Sequence, residues 1–172
     1  MPVICMRSSL LIFALFLLLF SRNAAAEVDD GTAISSESLS PLAHWVEHAT
    51  HIRIQTLPLA IASDRKLEKA LHIENVQRAG AVGAYLPGQI IISSSIWDPD
   101  TIQAQSYVVH ELVHHAQLIG GHVYPCNAAK EREAYMLQSR WLIEHGQKPI
   151  VDQAWIDSIS SCRAVGRSED KE

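Results

Sequence analysis

His110-Glu111-Leu112-Val113-His114 brings two imidazoles and a carboxylate into five consecutive residues. In a helix, residues four apart stand one above the other, so His110 and His114 can aim at one point with Glu111 beside them. Imidazole nitrogens suit zinc, and a carboxylate next to such a pair can take a proton from a water on the metal. The pattern therefore predicts metal-assisted hydrolysis with one zinc ion, Zn2+, as cofactor.

A catalytic zinc commonly takes three protein ligands and leaves one position to water. The downstream candidates are His115, His122, Glu131, Glu133, Glu144 and His145. His115 follows His114 directly and points about 100° away from it. Glu131 and Glu133 belong to a second helical stretch, Glu131-Arg132-Glu133-Ala134-Tyr135. A glutamate on a helix packed antiparallel to the first would complete a His, His, Glu site. The two lie about 200° apart around that helix, so one of them at most faces the metal.

The elements that must position these groups follow from patterning. Ser40 and Pro41 predict the start of a first helix with an apolar stripe through Leu42, Trp45 or Val46, Ala49 and Ile52. Its other face carries His44, His48 and His51, a spacing that reads as a solvated surface. Leu59 to Ala62 is a short strand, and Ser63 caps a helix over 64–72. Pro87-Gly88 marks a turn before the β-prone run Gln89 to Ser93, which Pro87 suggests is near a sheet edge. Asp98-Pro99 predicts the start of the motif helix, which runs to Leu118 or Ile119 and stops at Gly120-Gly121. A second long helix spans about 127–145. Asp152 caps a last one, with Trp155, Ile156 and Ile159 facing inward. This order predicts an α+β fold, a small mixed sheet packed on the motif helix and followed by a second ligand-bearing helix.

Length and composition bound the class. Residues 1–26 join a positive start at Arg7, the apolar run Leu10 to Phe20 and Ala24-Ala25-Ala26, the plan of a cleaved signal peptide. That run is shorter than the roughly 20 residues that span a bilayer, so no membrane anchor is expected after cleavage. Export to the periplasm or the exterior follows. Polar residues 27–39 predict a flexible N-terminus, 40–162 one domain, and 163–172 a disordered charged tail. Cleavage removes Arg7 and Arg22, leaving twelve basic against nineteen acidic residues, a net charge of -7. An acidic chain with no basic stripe is not built for nucleic acid. Cys126 and Cys162, the two cysteines left, suggest one disulfide.

Eighteen residues, 115 to 132, separate His114 from Glu133. With that spacing the chain resembles the gluzincin metallopeptidases, particularly their aminopeptidase-like branch, over about residues 84–142. The whole chain also looks like small, secreted, bacterial-type gluzincin-like proteins. The resemblance implies a minimal zincin-like domain in which His110, His114 and Glu133 hold the zinc and Glu111 is the general base that activates a zinc-bound water. It also implies that a peptide or protein substrate adds along the Gln89–Ser93 strand. No Gly-rich acidic exopeptidase motif precedes the helix, so aminopeptidase specificity does not carry over. Leu137 stands where some gluzincins have an Asp that orients a ligand histidine. That acceptor must come from Gln138, Glu131 or a backbone carbonyl.

For the oxyanion donor the candidates are Tyr135, Tyr107, His115 and His122, with Tyr135 preferred for its closeness to Glu133. The expected activity is zinc-dependent peptide-bond hydrolysis on exported substrates. The small size of the chain leaves a second reading, a catalytically inactive zinc-stabilised exported binding module.

Overall fold

The structure is a computed structural model and describes residues 31–162. The expected signal peptide and the expected charged tail lie outside the described residues. Thr32–Ala33 forms strand β1, antiparallel to β2 (Leu59–Ala62). Helix α1 (Ser36–Thr50) opens where Ser35 accepts from the Ser38 N–H at 3.2 Å. The helix thus begins four residues before the expected Ser40, and Pro41 sits inside it, where it removes a single main-chain donor. The part of the expected flexible N-terminus that is described is therefore ordered. Its anchors are the buried side chains of Ile34 and Leu39, hidden in a polar stretch, and an Ile34 N–H to Ala60 O bond of 2.9 Å.

After β2, Ser63 accepts from the Lys66 N–H and starts α2 (Asp64–Leu71) as expected. A single turn, α3 (Val76–Ala79), leads to β3 (Gly83–Leu86). Pro87 and Gly88 form a two-residue turn, Gly88 with φ 78°, into β4 (Gln89–Ile92). The sheet order is β1-β2-β4-β3, with β2 and β4 parallel and the other pairs antiparallel.

This order corrects the expected edge strand. Gln89 to Ile92 is bonded on both sides, and the edges of the sheet are β1 and Gly83–Leu86. The physical reason lies in the run Ile90-Ile91-Ile92. Ile90 and Ile92 face the main core with α1, and Ile91 faces Leu67 and Val76 on the other side. An unbroken apolar run is the mark of a strand covered on both faces.

Thr101, not Asp98, caps α4 (Ile102–Ile119), accepting from the Ala104 N–H. Asp98 and Pro99 form a turn before it, in which Asp98 accepts from the Asp100 N–H. Val108, Val109, Leu112, Val113 and Ala116 of α4 are fully buried. Helices α5 (Ala129–Glu144) and α6 (Gln153–Ile159) follow, α5 packed along α4 and α6 along α5. Ile156 is buried as expected, whereas Trp155 is 41% exposed. The architecture is α+β, with the motif helix between the sheet and α5. Among the described residues, no helix is long and apolar enough to cross a membrane.

A Cys126–Cys162 disulfide ties the chain ahead of α5 to the chain behind α6, across a separation of 36 residues. Closing a loop of that length removes about 3–4 kcal/mol of chain entropy from the unfolded state. Replacing both cysteines by serine should lower the unfolding free energy by about that amount in urea titrations. A loss under about 1 kcal/mol would show that the bridge adds little to stability.

Candidate metal centre

His110 and His114 lie one turn apart on α4, and their Nε2 atoms approach to 3.2 Å. Glu131, in the first turn of α5, closes the group. Its Oε2 is 3.3 Å from His110 Nε2 and its Oε1 is 3.5 Å from His114 Nε2. A tetrahedral zinc with bonds of about 2.0–2.1 Å spaces its donor atoms about 3.3–3.4 Å apart. The three separations match that spacing. Among the described residues, this is the one group of three or more His, Cys, Asp or Glu side chains gathered at metal-ligand distances. His44, His48 and His51 are exposed.

The other nitrogen of each ring is also fixed. His110 Nδ1 lies 3.1 Å from Gln138 Oε1, and His114 Nδ1 lies 2.9 Å from Gln117 Oε1. Neighbours settle which amide atom is which. Gln117 Nε2 donates to Lys130 O and to Glu133 Oε2, groups that only accept. Gln138 Nε2 donates to Ser106 Oγ, whose own hydrogen goes to Gln103 O. Both amide oxygens therefore face the histidines and accept, which puts the proton on Nδ1 and leaves the Nε2 lone pairs aimed at the common point. Gln138 was one of the acceptors the sequence offered; Gln117, three residues after His114, was not.

The carboxylate and the two imidazoles compete for one positive charge. Burial alone would raise the Glu131 pKa, but a proton shared with the Nε2 atoms of His110 and His114 outweighs it and holds the carboxyl at about 2. Burial opposes charge on His114, yet Glu131 and Glu111 overcome that and raise its pKa. The carboxylate draws a proton onto the imidazole where a metal ion could supply the positive charge instead.

Residues 32–167 match the family described as a domain of unknown function, DUF6647. The chain belongs to that family. No curated protein and no solved structure matches it.

In this DUF6647 domain Glu111 is 6% exposed and turned toward the sheet. Burial raises its pKa, with His110 and His114 pulling the other way. A Cβ added at Gly83 would stand 2.7 Å from Glu111 Oε1, so only glycine lets β3 come this close to the carboxylate. Nothing in the sequence pattern gives Gly83 a role. A cleft of about 890 Å³ opens over the group, lined by Gly83, Tyr85, Tyr107, Tyr135 and Trp155 among others. The Tyr135 ring lies 4.3 Å from the His110 ring. Burial, then Glu131, Glu111 and Tyr107, push its pKa up to about 12, so it keeps its proton. Of the other candidate donors, Tyr107 and His122 line the cleft. His115 is buried and turned to Tyr85, its Nδ1 3.0 Å from the phenol oxygen.

Glu133, which the gluzincin spacing implies as third ligand, is not brought to the histidine pair. Its Oε2 accepts from Gln117 Nε2 and from the Tyr124 hydroxyl, both at 3.0 Å. The two glutamates lie about 200° apart around α5, and the helix is seated so that Glu131 reaches the histidine pair while Glu133 reaches Gln117 and Tyr124. Glu133 thus stands behind Gln117, which stands behind His114. Glu131→Ala should abolish stoichiometric zinc uptake. Glu133→Ala should keep one zinc per chain and weaken its affinity about tenfold, the usual effect of losing a ligand's support. Zinc titration against a competing chelator checks both, and the opposite ranking would return Glu133 to the metal.

Proposed function

We propose that this chain is a zinc-dependent hydrolase of peptide bonds, with His110, His114 and Glu131 holding the metal. The observation that carries the reading is a His, His, Glu group, buried at His110 and half-buried at His114 and Glu131, with a second, buried carboxylate, Glu111, beside it and not among the ligands, at the floor of an open cleft. Buried histidines and carboxylates weaken a core helix unless a site needs them. A zinc ion held there supplies the Lewis acidity that brings a water toward ionisation near neutral pH.

The protein's own groups do the rest. Glu111 takes a proton from the attacking water and delivers it to the leaving amine. Tyr135, protonated and beside His110, donates to the oxygen that gains charge in the transition state. The free edge of β3 supports main-chain recognition of the substrate. Ser93 N–H donates to Val82 O at 3.0 Å, which sets the phase of the β3–β4 ladder. Alternation along an antiparallel pair then turns the N–H and C=O groups of Gly83 and Tyr85 away from β4, toward the free edge. An extended peptide can pair there, over Glu111. The disulfide supports an exported setting.

Glu111→Gln should bind zinc as tightly as the unaltered chain and lose about 10²–10⁴-fold in peptide hydrolysis, the contribution of a general base. Retained turnover would remove Glu111 as the base. Peptide binding by the zinc-loaded chain without any turnover would leave the second reading, a zinc-stabilised binding module.

A further inference from the structure

We infer that the cleft selects extended polypeptide carrying a large apolar side chain next to the bond that is cut, and that Trp155 is the residue that selects it. The inference rests on the hydrolase reading above and names its substrate class.

Among the described residues ten large apolar side chains are exposed, and four of them gather at one place. Leu71, Leu118, Ile150 and Trp155 are 39%, 53%, 43% and 41% exposed, and all four line the cleft. Large side chains left in water around one concave site mark a binding surface. Trp155 reaches the candidate metal group through a chain of rings. It meets Tyr135 edge-on at 4.9 Å, and Tyr135 meets His110 at 4.3 Å. A side chain resting on Trp155 therefore lies one aromatic ring away from the metal-binding group.

Trp155 is held, not loose. Its helix is capped by Asp152, which accepts from the Trp155 N–H at 2.8 Å. Asp157 pairs with Arg132 of α5 at 2.8 Å. Ile156 is buried, and the disulfide fixes Cys162 just beyond the helix. A tryptophan serving only as packing would take the buried position that Ile156 takes. Here the helix buries its isoleucine and presents the larger ring to the cleft.

Charge points the same way. Besides the histidines and the two carboxylates of the site, the cleft lining carries one charged side chain, Lys130. An acidic side chain would find a single lysine, Lys130, against the two carboxylates Glu111 and Glu131. A basic one would find only Glu111 and Glu131, both already committed to the site. The neutral main-chain edge of β3 then takes the backbone, and the apolar wall takes the side chain.

The test uses the zinc-loaded chain and a set of extended peptides differing at one position beside the cut, with Leu, Phe, Ala, Lys or Asp. The expected kcat/KM for Leu and Phe exceeds that for Ala by about tenfold or more, with Lys and Asp lowest. Trp155→Ala should shrink the Leu-to-Ala ratio below about threefold with zinc content unchanged, and Trp155→Phe should restore it. An unchanged ratio in Trp155→Ala, or hydrolysis without apolar preference, overturns the inference and leaves the hydrolase reading standing. Apolar-selective binding by Glu111→Gln, in a chain whose unaltered form cuts no peptide, keeps the selection by Trp155 and overturns the hydrolase reading instead. A dimer lost in Trp155→Ala sedimentation would assign the wall to a second copy of the chain and overturn the inference.

Discussion

The close approach of strand β3 to helix α4 is the constraint on which the site depends. A strand repeats its side-chain direction every two residues, about 6.8 Å, and a helix repeats its face every four, about 6 Å. These steps nearly agree, so Gly83 falls against Glu111 and Tyr85 against His115. Tyr85 spans the gap with a hydrogen bond, while Gly83 closes it by having no side chain. Glu111 is thereby pressed against the β3 edge of the sheet. On the proposed hydrolase reading, main-chain recognition of a substrate and proton transfer to it would fall within the span of two strand residues.

The second helix of the site is held by more than apolar contact. Gln117 of α4 donates to Lys130 O at the start of α5, and the Cys126 bridge lies just ahead of that turn. Ala128 supplies no side-chain cap, so the first turn of α5 relies on these ties. Glu131 sits in that turn, where the helix dipole favours a carboxylate. A cation between His110, His114 and Glu131 would join α4 to α5 at the one place where the helix end lacks a cap. Metal affinity and the stability of this helix pair are therefore linked, because an ion that binds only the folded chain stabilises it.

Much of this was legible in the sequence, and the failures have physical causes. The helical spacing of His110 and His114, the caps at Ser63 and Asp152 and the glycine stop at Gly120-Gly121 are local signals, and the structure keeps them. The choice between Glu131 and Glu133 is not local. It depends on how α5 is rotated against α4, and a spacing carried from another family does not encode that rotation. The edge position is not local either: Pro87 belongs to the turn between two strands and says nothing of whether the strand after it is paired on its other side. Gly83 left no signal at all, since a glycine that admits a distant carboxylate looks like one that makes a loop. Trp155 was assigned inward by helical period alone, which cannot separate the wall of a core from the wall of a cleft.

The supports of the two histidines explain why Leu137 can stand where an acid is found in some gluzincins. A buried centre is least costly when its charges cancel, and the ion's own charge has to be counted. A dication with two neutral imidazoles and Glu131 carries one positive charge, and ionised Glu111 beside it brings the total to zero. A carboxylate bonded directly to His110 or His114 would make the buried group negative. Gln138 and Gln117 fix the same imidazole tautomers without adding charge. The one further acid nearby, Glu133, is set a residue back behind Gln117, where the Tyr124 hydroxyl also donates to it. With a dication bound, amide supports and a withdrawn acid would leave the centre neutral with Glu111 ionised, the form in which it could act as a base.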